Sequence, residues 1–123
     1  MDLVVTTPGV ETTRLQTHFD SEREAQFRTI ARATRCGSLA VDPTLADRVR
    51  IAVAPCAVSL HAADRLCTRL AECHHSVDGI IVCETRQEST LTDDRISAVF
   101  DDTVSVTRVD DGTGCGQIRY YNR

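Results

Sequence analysis

Apolar residues in this chain gather in short, uninterrupted runs. Leu3-Val4-Val5-Thr6 is the first, β-rich and closed by the turn pair Pro8-Gly9. Ser38-Leu39-Ala40-Val41 is a second, ended by Asp42-Pro43, and Arg50-Ile51-Ala52-Val53-Ala54 a third, ended by Pro55. Ile80-Ile81-Val82-Cys83, entered through Asp78-Gly79, is the strongest. Runs that do not alternate polar with apolar suit strands covered on both faces, the habit of parallel sheets.

Helical spacing marks other segments. Ser21-Glu22-Arg23-Glu24 has the reciprocal capping pattern, and Phe27, Ile30, Ala31 and Thr34 follow it at helical intervals before Cys36-Gly37. That predicts an amphipathic helix over 21–35. Leu60, Ala63, Cys67, Leu70 and Ala71, flanked by Leu66, predict a longer one over 57–74 with Asp64, Arg65, Thr68, Arg69 and Glu72 outside. Thr92-Asp93-Asp94 starts a third, with Ile96, Val99 and Phe100 as its apolar side. Val104, Val106 and Val109 then lead through Asp110-Asp111-Gly112-Thr113-Gly114 into Gln117-Ile118-Arg119-Tyr120-Tyr121, a hairpin.

The predicted order is strand, helix, strand, strand, helix, strand, helix, hairpin. It implies an α/β fold of residues 1–123 as a single domain: three layers, a mainly parallel sheet, and a C-terminal antiparallel hairpin.

Composition narrows the setting. All 14 basic residues are arginine, Asp outnumbers Glu 12 to 6, Thr numbers 15, and the net charge is −4. Loss of Lys with gain of Asp and Thr points to a salt-loving archaeal source, high-GC codon usage being the other explanation. An acidic surface keeps a protein dispersed in strong salt and disfavours a phosphate backbone as partner. A DNA-reading role for the predicted first helix rests on Arg28, Arg32 and Arg35 along one side, with Arg23 beside Glu22 and Glu24. The acidic balance argues against it. Asp2 stands where a signal peptide carries positive charge, and no apolar run is long enough for a membrane span. The expectation is a cytoplasmic chain with no membrane contact and with reduced thiols.

The six cysteines, Cys36, Cys56, Cys67, Cys73, Cys83 and Cys115, form no Cys-x-x-Cys pair and read as mostly buried, inert thiols. Cys73-His74-His75, with Cys67 upstream, is the densest set of soft ligands, of the type that suits zinc. Adjacent residues at a helix end diverge, however, and the histidines there suit the last carbonyls and the dipole. Cys83-Glu84-Thr85 lies past a strand end, where α/β sheets place ligands, but a nucleophilic thiol needs a base that no spacing supplies. Gly112-Thr113-Gly114-Cys115-Gly116 leads into a strand, so it reads as a hairpin turn and not a phosphate loop. Asp93-Asp94 and Asp110-Asp111 read as a helix start and solvated surface, with divalent-cation binding as the alternative.

From Arg50 onward the order resembles the C-terminal half of a RecA/KaiC-type P-loop ATPase core. The strand is Ile51–Ala54, the helix Ala57–His74, the next strand Ile80–Val82 with Cys83-Glu84-Thr85 at its tip. The short helix Asp93–Phe100 and the pair Val104–Val109 with Gln117–Tyr121 complete it. Ser38-Leu39-Ala40-Val41-Asp42-Pro43-Thr44 resembles a preceding strand in divergent haloarchaeal relatives of KaiC. In that family the first of these strands carries the metal-binding acid. Here it ends in Ala54-Pro55-Cys56, there is no G-x-x-x-x-G-K-[ST], and a chain without Lys has no P-loop lysine. The resemblance therefore implies a degenerate, non-hydrolysing domain: a regulatory or interaction module that binds a protein partner or its own copy. No catalytic, cofactor-binding or metal residue is assigned. The rival is a small thiol- or zinc-dependent enzyme using Cys83 or the Cys73–His75 cluster.

Overall fold

The computed structural model describes residues 2–20, 28–84, 93–98, 105–110 and 117–122. The strands are β1 (Asp2–Thr6), β2 (Arg28–Arg32), β3 (Arg48–Val53), β4 (Gly79–Cys83), β5 (Ser105–Asp110) and β6 (Gln117–Asn122). The helices are α1 (Thr12–Asp20), α2 (Ala57–Glu72) and α3 (Asp93–Ser97), with a short 3-10 turn at Pro43–Leu45. The strands form one mixed sheet in the order β2-β1-β3-β4-β6-β5. β1 pairs in parallel with β2 and β3, and β3 with β4. β6 runs antiparallel to both β4 and β5. The molecule is thus α/β with a mixed sheet, and the C-terminal hairpin pairs as its sequence predicts, Ser105 opposite Asn122 and Val109 opposite Ile118.

The uninterrupted apolar runs are explained by what lies on either side of them. Leu3, Val5, Val49, Ile51, Val53, Ile80, Val82 and Tyr121 form one buried cluster with Leu66 and Leu70 of α2 and Ile96 of α3. The alternate residues Val4, Ala52, Ile81, Cys83, Ile118 and Tyr120 form another with Leu15 and Phe19 of α1. Both sets are withdrawn from water, so neither needs to be polar. Each fully buried Leu or Phe contributes on the order of 1.5–3 kcal/mol.

Two predicted elements are displaced. Residues 28–32, placed by helical spacing inside a helix, are strand β2, hydrogen-bonded in register with β1 from Asp2–Arg28 to Thr6–Arg32. The capping segment 21–27 lies outside the described residues. The first helix is instead α1, whose Leu15, His18 and Phe19 are buried at the i, i+3, i+4 spacing. Pairing with β1 outweighed the local helical pattern, and Thr29 and Ile30, both β-branched, suit the edge strand.

Residues 38–41 are not a strand. They belong to a loop over α2, in which Leu39 packs on the core and Arg69 Nη1 donates to Ser38 Oγ at 3.1 Å. The loop lies so close to the helix that a Cβ on Gly37, at φ +76°, would sit 2.9 Å from the Leu66 amide nitrogen. Asp42 then caps the 3-10 turn, accepting from Thr44 N at 3.0 Å and Thr44 Oγ1 at 2.6 Å, bonds that hold its carboxyl below the usual range. With these displacements the predicted sequence of element types is the observed one.

α2 is also rotated from its predicted facing. Ser59, Ala62, Leu66 and Leu70 are its buried residues, Leu60, Ala63 and Cys67 flank them, and Ala71 is exposed. The predicted helix cap Thr92, the apolar residues Val99, Phe100 and Val104, and the Gly112–Gly116 turn lie outside the described residues.

Candidate functional site

Parallel α/β sheets bind ligands beyond the carboxyl ends of their strands, where the strand order reverses. Here the chain leaves β1 toward β2 on one side and resumes at β3 on the other, so the reversal falls between β1 and β3. The groups at that edge come from Thr7-Pro8-Gly9 after β1, Ala54-Pro55-Cys56 before α2, and Ser59 in the first turn of α2.

They are bonded to one another. Thr7 Oγ1 donates to the Ala52 carbonyl at 2.9 Å, and Ser59 Oγ accepts the Ala54 amide at 2.8 Å. The two hydroxyls are themselves in hydrogen-bond contact. Since the Thr7 proton is directed at Ala52, Ser59 donates to Thr7. Thr7 is 3% exposed and Ser59 0%, so the chain of bonds is sealed from water. Above it the β1–α1 loop sits on α2: a Cβ on Gly9, at φ +99°, would lie 2.8 Å from Cys56 Sγ. Cys56 is the N-cap of α2 and its side chain makes no capping bond. Among the described residues no imidazole or carboxylate hydrogen-bonds either buried hydroxyl, so none of them serves as a base to activate it.

Farther along the same edge, Glu84 follows β4. Its carboxylate pairs with Arg119 of β6 at 2.7 Å, and its carbonyl accepts Arg14 of α1 at 2.9 Å. Arg119 Nη1 also donates to Tyr121 Oη at 2.7 Å. Glu84 thereby ties α1 to β6 and is held as a structural anion. Cys83 beside it is buried against Ile81 and Ile118, and Thr85 lies outside the described residues.

The Cys73-His74-His75 segment closes α2. His74 N donates to Ala71 O at 3.0 Å and His75 N to Leu70 O at 2.9 Å, with His74 at φ 56°. This is the paired closure in which a left-handed residue lets the chain turn back on the last carbonyls. The backbone of the two histidines performs the helix-end task, and Cys73 and His74 face solvent. Among the described residues no three His, Cys, Asp or Glu side chains gather as a metal site. Of the cysteines read as buried, Cys83 is so and Cys67 half so, while Cys36, Cys56 and Cys73 are exposed.

At the opposite edge, Asp2 is shared by Arg50 at 2.8 Å and Arg28 at 3.4 Å, and the Arg28 guanidinium lies 4.1 Å over the Phe19 ring. Burial pushes the Arg50 pKa down, opposed by Asp2 beside it. Arg28 and Arg32 thus belong to a strand, and the basic helical stripe with Arg35 does not form. Sequence reading passed over Thr7, Ser59, Arg50 and Asp2. A threonine before Pro-Gly and a serine in the first turn of an apolar helix were the only signals for the first two.

Compared with family models, with curated proteins and with solved structures, the chain matches none.

Proposed function

We propose that this chain is a regulatory or protein-interaction module without catalysis of its own, a degenerate relative of the RecA/KaiC-type ATPases from a salt-loving cytoplasm. One observation carries the reading: the crevice between β1 and β3 is filled by the chain's own Thr7–Ser59–Ala54 bonds, with Gly9 seated on Cys56. A nucleotide phosphate entering there would have to displace buried hydrogen bonds, and it would meet no lysine and no acid to hold its metal. The order of elements from β3 to β6 supports the kinship, as do the residues after β3, Ala54-Pro55-Cys56, in place of a carboxylate. On this reading the sheet is the middle of three layers, α1 lying on one side and α2 with α3 on the other, its parallel part being the ancestral core. The partner is a protein or a second copy of the chain. No described helix is long and apolar enough to cross a membrane.

The test is phosphate release from ATP with Mg²⁺ by the purified chain in molar KCl, run beside sedimentation analysis. No release above buffer, with a protein-concentration-dependent mass or capture of a defined protein, is the expected result. Sustained turnover, unchanged through further purification, would overturn the proposal.

A further inference from the structure

On the β2 side of β1, away from the sealed crevice, an open cavity of about 210 Å³ lies at the carboxyl edge. Its walls are Thr6, Thr7 and Pro8 after β1, Val10 and Thr12 at the start of α1, and Arg32 with Ala33 at the end of β2. In a chain with net charge −4, the described residues that line this cavity include no carboxylate and one guanidinium.

That guanidinium is unspent. Arg28 and Arg50 are paired with Asp2, Arg119 with Glu84, and Arg48 donates to Asn122 at 2.9 Å. Among the described residues, none pairs with or hydrogen-bonds the Arg32 guanidinium. The hydroxyl on the facing wall is only loosely engaged: the Thr6 hydroxyl is aimed at the Ala31 carbonyl at 3.4 Å, so Thr12 donates to Thr6 at 3.4 Å, a long bond that Thr12 can exchange for one to an anion's oxygen. Carboxylates and phosphates are the groups that a guanidinium fork binds through two parallel bonds. A tetrahedral oxyanion has further oxygens for a hydroxyl on the facing wall, and the space exceeds several water-sized groups of about 30 Å³ each.

We infer that the cavity between the β1 and β2 tips binds a phosphate group, free or as a small ester, held by the Arg32 guanidinium and the Thr12 hydroxyl. Pro8, Val10 and Ala33 supply an apolar wall for what the phosphate carries. Occupation leaves the Thr7–Ser59 bonds intact, so binding here is compatible with a module that does not hydrolyse nucleotides.

Backbone amide shifts of the full chain, titrated with inorganic phosphate and separately with phenyl phosphate at constant ionic strength, test this directly. Saturable shifts confined to residues 6–13 and 31–34 are expected, weakened about tenfold or more by Arg32→Ala and less by Arg32→Lys. Saturation by inorganic phosphate assigns the free anion, and saturation by phenyl phosphate alone assigns an ester. Thr12→Val weakens binding at the cost of one long contact to Thr6, leaves every strand residue in place, and keeps the comparison open should Arg32→Ala fail to fold. The inference falls if neither titrant gives saturable shifts at these residues, or if the Arg32 and Thr12 variants bind as the parent does.

Discussion

Single residues set the pH and charge limits of this molecule. Cys67 lies half-buried on the inner flank of α2, and its desolvation, with Asp64 nearby, pushes its thiol up to about 11 from 9.0. A raised acid favours its neutral form in the fold, so its contribution is complete below pH 9 and is lost as pH rises toward 11. Thermal unfolding followed across that window is expected to show a fall in Tm that Cys67→Ala reduces. Alkylation at pH 8 is expected to mark Cys36, Cys56 and Cys73 well before Cys67. Asp2 is the other sensitive position, because Arg50 is 4% exposed and depends on its carboxylate. Asp2→Asn leaves a buried guanidinium short of its counter-charge and is expected to cost about 3 kcal/mol in urea unfolding, whereas Asp20→Asn on the exposed end of α1 costs little.

At the scale of elements, the closest approaches decide which substitutions are tolerated. Gly79 opens β4 opposite Asn122, and a Cβ there would lie 2.7 Å from the Tyr121 carbonyl oxygen. Gly79→Ala therefore strains the junction between the parallel strands and the hairpin, with an expected loss of about 1–3 kcal/mol by denaturant midpoint. His74 carries the left-handed turn that ends α2, a conformation glycine adopts without penalty, so His74→Gly is expected to stabilise by about 0.5–1 kcal/mol. β1, β3, β4, α2 and the hairpin were legible because their signals are local and strong: continuous apolar runs, helical periodicity, a glycine-bearing turn. α1 and β2 were not, because Thr12–Asp20 offers only Leu15 and Phe19 as apolar helix markers. Arg28–Arg32 is an edge strand with no fully buried residue, made a strand by its partner β1. Helical spacing at Ile30, Ala31 and Thr34 was real in sequence and irrelevant in space.

For the whole molecule, the consequence of this arrangement is a sheet whose reversal point is closed from within while a second, polar cavity stays open beside it. That closure was only partly legible. The lack of a phosphate loop and of an acid after β3 could be read directly from Ala54-Pro55-Cys56 and from a chain without lysine. The bonds that fill the space could not, since Thr7 and Ser59 are 52 positions apart and meet only because β1 and β3 pair in register. Likewise Arg32 was read on a helix, and its place at a cavity mouth follows from β2. The same closure makes the β1–α1 loop part of the core: Ser59→Ala, which orphans the buried Ala54 amide, is expected to cost about 1–3 kcal/mol by thermal unfolding. The most direct examination of the central claim is a crystal structure of the full chain grown with ATP and Mg²⁺. The account predicts an intact Thr7–Ser59–Ala54 bond chain with neither nucleotide nor metal between β1 and β3; a nucleotide or ion seated there, with those bonds opened, would contradict it.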